Sequence, residues 1–170
     1  MKSAFWGVMV AAGILACQEK EEIKTEYTGN ETVYALLQAS DYNVQGTVTF
    51  RERLDGTAEI DVALTGTEGS IEHPVHLHLG DISAPSADVA ALLSPVIGST
   101  GKSETILTRL ADESAITYKQ LLTLNACIKV HLSAVGESRD IILAGGNVGS
   151  ASTKDVSTGR SAAFAVCKSK

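Results

Sequence analysis

A two-residue period constrains this chain more than any other feature of its sequence. Across residues 44–65 apolar and polar side chains alternate on both sides of an Asp55-Gly56 step. Successive side chains of an extended chain point to opposite faces, so Ala58, Ile60, Val62 and Leu64 form a core face, while Glu59, Asp61, Ala63 and Thr65 form a mainly wet one. Asp-Gly tolerates the positive φ of a tight turn, which makes the step between the two runs a hairpin. The same period, broken by turn residues, predicts strands over 33–39, 44–53, 57–65, 75–79, 103–110, 127–133, 141–145 and 162–167. Two stretches depart from it. Residues 86–93 carry a serine cap candidate and an early acid, and residues 117–122 pair Thr117 with Gln120 as a capping box, so both read as short helices in connecting loops. The Gly-, Ser- and Thr-rich stretches 98–103 and 145–159 read as loops.

The N-terminus carries an address. Residues 1–16 combine one early cation, Lys2, with an apolar run of signal-peptide length that is too short to span a bilayer. The run ends in Ile14-Leu15-Ala16-Cys17, which resembles a bacterial lipobox with Cys17 as the lipidated residue. Residues 17–31 then form the lipidated cysteine and a charged tether, similar at Gln18-Glu19-Lys20-Glu21-Glu22 to a lipoprotein surface-export signal, and residues 32–170 form one domain. The expected location is the bacterial cell envelope, as an outer-membrane lipoprotein facing the periplasm or the cell surface, bound to the membrane by its lipid anchor alone.

Twenty acidic against 14 basic side chains, a formal charge of −6, and no basic patch exclude nucleic acid as a partner. Beyond Cys17 the chain has two cysteines, Cys127 and Cys167, and an exported chain with an even remainder reads as carrying one disulfide, which the chain-entropy model values at about 4 kcal/mol. A metal-ligand role is the lesser alternative, since the pair lacks CxxC spacing.

The chemistry is concentrated in the histidines. All four lie in two apolar stretches, His73-Pro74-Val75-His76-Leu77-His78 and Ile128-Lys129-Val130-His131-Leu132. At i and i+2 on a strand, His76 and His78 share a face, and a neighbouring strand can add His131. Three converging imidazoles suit Cu²⁺ or Zn²⁺; the competing reading is that they hydrogen-bond neighbouring strands together in a polar corner. His73, three residues before His76 and followed by Pro74, is an accessory ligand candidate or a solvated turn residue. Asp81 is either a partner that orients a histidine or a turn former. No Gly-x-Ser-x-Gly elbow is present, and Asp112-Glu113 lies in a polar loop, so nucleophilic and paired-carboxylate catalysis find no support.

These motifs resemble a known family. The order Val44-Gln45-Gly46-Thr47-Val48-Thr49-Phe50, a hairpin, Val75-His76-Leu77-His78, Ile116-Thr117-Tyr118-Lys119-Gln120-Leu121-Leu122, Val130-His131 and Gly145-Gly146-Asn147-Val148-Gly149 resembles the CHRD (chordin) domain of bacterial lipoproteins over roughly residues 32–149. That resemblance implies an extracytoplasmic binding module of unassigned activity, with an unknown protein or small ligand as partner. The combined expectation is an all-β, antiparallel Greek-key β-sandwich with two short helices. The same elements are similar to copper/zinc superoxide dismutases, whose Gly-Thr-Val-x-Phe strand, His-x-His pair and Val-His ligand fall on Gly46–Phe50, His76, His78 and His131, with Arg160 as a loose counterpart of the anion guide. No histidine lies between His78 and His131, so the bridging ligand and the zinc-loop ligands of that family are missing. The enzyme alternative is therefore a copper-dependent, dismutase-like protein with an incomplete ligand set.

Overall fold

The computed structural model describes residues 26–84 and 88–152. Eight strands are present: β1 (Tyr27–Gln38), β2 (Gln45–Arg53), β3 (Ala58–Thr65), β4 (Glu72–Leu79), β5 (Val89–Ile97), β6 (Lys102–Leu107), β7 (Asn125–His131) and β8 (Ile142–Gly149). They are joined by a helix, α1 (Tyr118–Thr123), between β6 and β7 and by a 3₁₀ turn, Glu137–Asp140, before β8. No helix among the described residues is long and apolar enough to cross a membrane.

The strands close into a single antiparallel barrel in the order β1-β2-β3-β6-β5-β4-β7-β8. This corrects the sandwich expectation. A sandwich leaves strand edges open, whereas here β1 pairs with β2 along most of its length and with β8 through Leu37↔Gly145 and Gln38↔Ala144. Alternation specifies an inner and an outer face and is the same for either architecture; closure depends on pairings between distant parts of the chain. Strands β4, β5 and β6 form a meander, and β7 returns beside β4, which is the Greek-key order. The thinnest seam joins β5 to β6, where the ladder holds Ile97↔Lys102 and the Ser94 amide donates to Thr105 Oγ1 at 2.8 Å.

Inside the barrel Leu36, Val48, Phe50, Ile60, Val62, Val75, Leu77, Ile128, Val130 and Val148 pack without solvent contact or nearly so. Each large side chain so buried contributes roughly 1.5–3 kcal/mol. Phe50 meets the Tyr34 ring edge-on at 5.2 Å.

Several local expectations find counterparts. The Asp55-Gly56 turn has Gly56 at φ +83°, and Asp55 Oδ1 accepts from the Thr57 amide at 2.9 Å. Thr117 caps α1, with Thr117 Oγ1 accepting from the Gln120 amide at 3.3 Å and Gln120 Oε1 accepting from the Thr117 amide at 2.9 Å.

Other expectations are corrected. Within the stretch read as a helix, Val89 to Leu93 belong to strand β5, while residues 85–87 lie outside the described residues. The irregularity between Leu77 and His78 lets Ala90 and Ala91 both turn inward, a pattern that imitates helical periodicity. Strand β1 begins at Tyr27 rather than at residue 33, and β8 runs through the glycines expected to start a loop. The strand expected over 162–167 lies outside the described residues.

Candidate metal centre

Alternation along β4 and β7 sorts their side chains between the core and the outer wall of the barrel. Val75 and Leu77 of β4 and Ile128 and Val130 of β7 face inward and are fully buried, which sends His76 and His78, and Cys127, Lys129 and His131, to the outer face. The antiparallel register sets His76 opposite Lys129 and His78 opposite Cys127, so His131 comes up diagonally beside His76. The rings converge: centroids are 4.7 Å apart for His76 and His131, 5.7 Å for His76 and His78, and 6.4 Å for His78 and His131. One nitrogen from each imidazole lies within 4.8 Å of the other two, so His76, His78 and His131 form a group that could hold a metal ion.

The segment after β7 orients one of these rings. His131 Nδ1 lies 2.8 Å from the Arg139 carbonyl oxygen, which only accepts, so Nδ1 carries the proton and donates. The lone pair of the neutral ring is thereby left on Nε2. That nitrogen is buried and has no hydrogen-bond partner among the described residues. A histidine whose second nitrogen is tied to a carbonyl while the first is bare and enclosed has the arrangement metal ligands adopt. The His131 bond to Arg139 ties β7 to the turn at Glu137–Asp140 that leads into β8.

Electrostatics keep two of the three rings uncharged. Burial, then the neighbouring His131 and His78, push the His76 pKa down to about 4. His131 is also lowered, chiefly by burial, against the opposing effect of its bond to Arg139. Both are deprotonated at neutral pH, the form that binds metal. The metal-free protein should consequently lose stability on mild acidification. His76 titrates near its ordinary value of 6.5 once unfolded and near 4 when folded, so the unfolded chain holds the extra proton between those values. The stabilising contribution is complete above about 6.5 and is lost as pH falls from there through about 4. Urea midpoints of chelator-treated protein at pH 7.5 and 4.5 should drop more for the parent than for His76→Gln, and equal drops would show that His76 is not desolvated.

His73 does not join the group. It shares the inner face with Val75, is 4% exposed, and sets Nδ1 3.1 Å from the Leu132 carbonyl oxygen, which removes it from the accessory-ligand role. Asp81 shapes a loop: Oδ1 accepts from the Ser83 amide at 2.8 Å and Oδ2 from Asn147 Nδ2 at 2.9 Å, while Asn147 Oδ1 accepts from the Ile82 amide at 2.8 Å. Those bonds pin the chain after β4 to β8, beside Cys127. The Cys127 thiol is fully buried and pushed up to about 11 by burial, with Asp81 raising it further and Lys129 opposing. Its expected partner Cys167, the lipidation candidate Cys17 and Arg160 lie outside the described residues.

Two features escaped the reading of the sequence. Lys129 is only 6% exposed although it is a cation on the outer wall, and its place two residues before His131 was a visible sign that the two share a face. The other is a groove of about 230 Å³ beside His76, lined by Pro74, Leu92, Pro95 and Ala134 with Glu72 at its rim. A second group of ligand-type side chains, Glu59, Asp61 and Glu104, lies on the outer wall across the barrel. Arg51 contacts Asp61, Arg53 approaches Glu59 at 3.5 Å, and the Tyr27 hydroxyl donates to Glu59 at 2.7 Å, making that group an ion-pair network that ties β1, β2 and β3. No protein-family model, no curated protein and no solved structure matches the chain.

Proposed function

We propose that this chain is a lipid-anchored, CHRD-like binding protein of the bacterial cell envelope, and that its distinguishing activity is to hold one copper or zinc ion through His76, His78 and His131. The observation that carries the reading is the bare, buried His131 Nε2 within a group of three imidazoles whose nitrogens lie within 4.8 Å of one another. A lone pair enclosed without a donor is costly unless something binds it, and a metal ion does so. Three neutral nitrogen donors suit Zn²⁺ in a site that keeps one position open, and they suit copper equally. The envelope location rests on residues 1–16 and on Cys17, and the binding role rests on the CHRD resemblance together with the groove beside His76.

Elemental analysis of the purified full-length chain beside His76→Ala/His78→Ala tests the reading. One equivalent of copper or zinc in the parent and none in the double variant is the expected result. A parent that takes up neither ion from added Cu²⁺ or Zn²⁺ overturns it. Copper uptake accompanied by superoxide dismutation would move the protein to the enzyme alternative.

A further inference from the structure

The groove beside His76 shares a wall with the histidine group. On the outer face of β4, Pro74 and His76 stand two residues apart, and the β4–β5 ladder sets Leu92 directly opposite His76. On its other flank the His76 ring meets that of His131, with centroids 4.7 Å apart. His76 therefore stands between His131 and Leu92. The remaining walls come from Pro95, at the irregularity of β5 opposite Pro74, and from Ala134, three residues beyond His131. The groove of about 230 Å³ is thus bounded by residues that flank both rings of the closest histidine pair.

The chemistry of its walls sets what the groove takes. Leu92 is 72% exposed, so it offers apolar surface that a ligand would remove from water. The volume exceeds the roughly 150 Å³ in which an apolar cavity holds benzene. Among the described residues that line it, the one charged side chain is Glu72, an exposed carboxylate at the rim of a chain whose net charge is −6. An anionic ligand meets repulsion there, and a neutral one does not. The histidine side supplies the second requirement. A three-nitrogen set leaves a coordination position open. His131 Nε2 is enclosed by protein, whereas His76 is half-buried with neither ring nitrogen enclosed, so the group is reached from the His76 side, where the groove lies. We propose that the centre takes as its exogenous ligand an uncharged nitrogen donor carried on a compact apolar body of phenyl size, the donor filling the open position and the body lying in the groove against Leu92, Pro95 and Ala134. The inference rests on the metal reading above and adds to it the chemical class of the ligand and the residues that select it.

The test is titration of the Cu²⁺-loaded full-length chain with imidazole, 4-phenylimidazole and benzoate, followed by the visible absorption and electron paramagnetic resonance of the copper, in the parent, Leu92→Ser and Ala134→Asp. Both positions are exposed, so neither substitution disturbs the core. The expected result is a 4-phenylimidazole Kd at least about tenfold below that of imidazole in the parent, with the preference falling to about threefold or less in each variant while copper stoichiometry and the imidazole Kd stay unchanged. Equal affinity for the two azoles in the parent overturns the inference and leaves the metal site standing. So does a preference that survives in both variants, benzoate binding as tight as that of 4-phenylimidazole, or copper that responds to neither azole. Imidazole binding weakened as much as 4-phenylimidazole binding in both variants assigns these residues to the centre itself and likewise overturns the groove as the seat of the ligand body. Failure of the parent to load copper or zinc at all overturns the metal reading and this inference with it.

Discussion

Saturating the full-length chain with Zn²⁺ or Cu²⁺ should raise its thermal midpoint by roughly 5–10 °C, and His76→Ala/His78→Ala should abolish the rise. An ion that binds the native state alone adds RT ln(1 + [L]/Kd) to stability, about 2.7 kcal/mol at a hundredfold excess over Kd. For a domain of this size each kcal/mol moves the midpoint by roughly 2–4 °C. The effect depends on a site that exists only after folding, and this one does: His76 and His78 come from β4, His131 from β7, and the Arg139 carbonyl holds the third ring in place. Removing His76 and His78 deletes two of the three donors from the outer wall while Val75 and Leu77 stay packed in the core, so the barrel itself should persist. Differential scanning calorimetry with and without chelator reads the shift. A midpoint indifferent to both ions, or one that rises equally in the double variant, would show that the imidazoles serve only to join strands.

Gly146→Ala should cost about 3 kcal/mol, because it strikes the seam that closes the barrel. A Cβ at this position would stand 2.1 Å from the Ala35 carbonyl oxygen of β1. That carbonyl cannot retreat, since Ala35 is paired on its far side with Thr47 of β2, and Gly146 is held from behind by Ile128 of β7. Either β1 and β8 separate or the ladder shifts, and both expose core. Gly29→Ala is the matched control: Gly29 has φ +92° and nothing within 4 Å of a new Cβ, so only the backbone preference is lost, about 1–2 kcal/mol. Urea unfolding of the two variants should separate them, and a Gly146→Ala protein as stable as its parent would mean that the β1–β8 contact is loose.

Much of this was legible residue by residue. The hairpin at Asp55-Gly56, the Thr117–Gln120 cap and the common face of His76 and His78 follow from backbone rules that act over two to four residues, and the structure contains all three. Strand β5 was not legible. Ala90-Ala91-Leu92-Leu93 carries helical propensity and, with one bulge, helical spacing of its buried residues; β4 offers a hydrogen-bonding edge that outweighs that preference. The glycines of β8 read as a loop because a glycine-rich strand is weak on its own; they are strand because β1 and β7 pair with β8 on its two sides, and β1 comes too close to Gly146 for a side chain. The burial of Lys129 was not legible, because nothing local indicates that a side chain on the outer wall will be covered.

By itself the sequence determined which residues face together along each strand, where the turns fall, and that the chemistry of the chain resides in its histidines. Those properties follow from side-chain alternation and from φ preferences, which neighbours in the chain decide among themselves. Tertiary structure decided that the sheet closes into a barrel rather than opening into a sandwich, that His131 meets His76 and His78 while His73 turns to the core, and that a buried lysine stands beside them. Each of these rests on register between strands far apart in the chain, where a slip of one residue reverses every side chain. Only the packing of the whole barrel selects one register over the next.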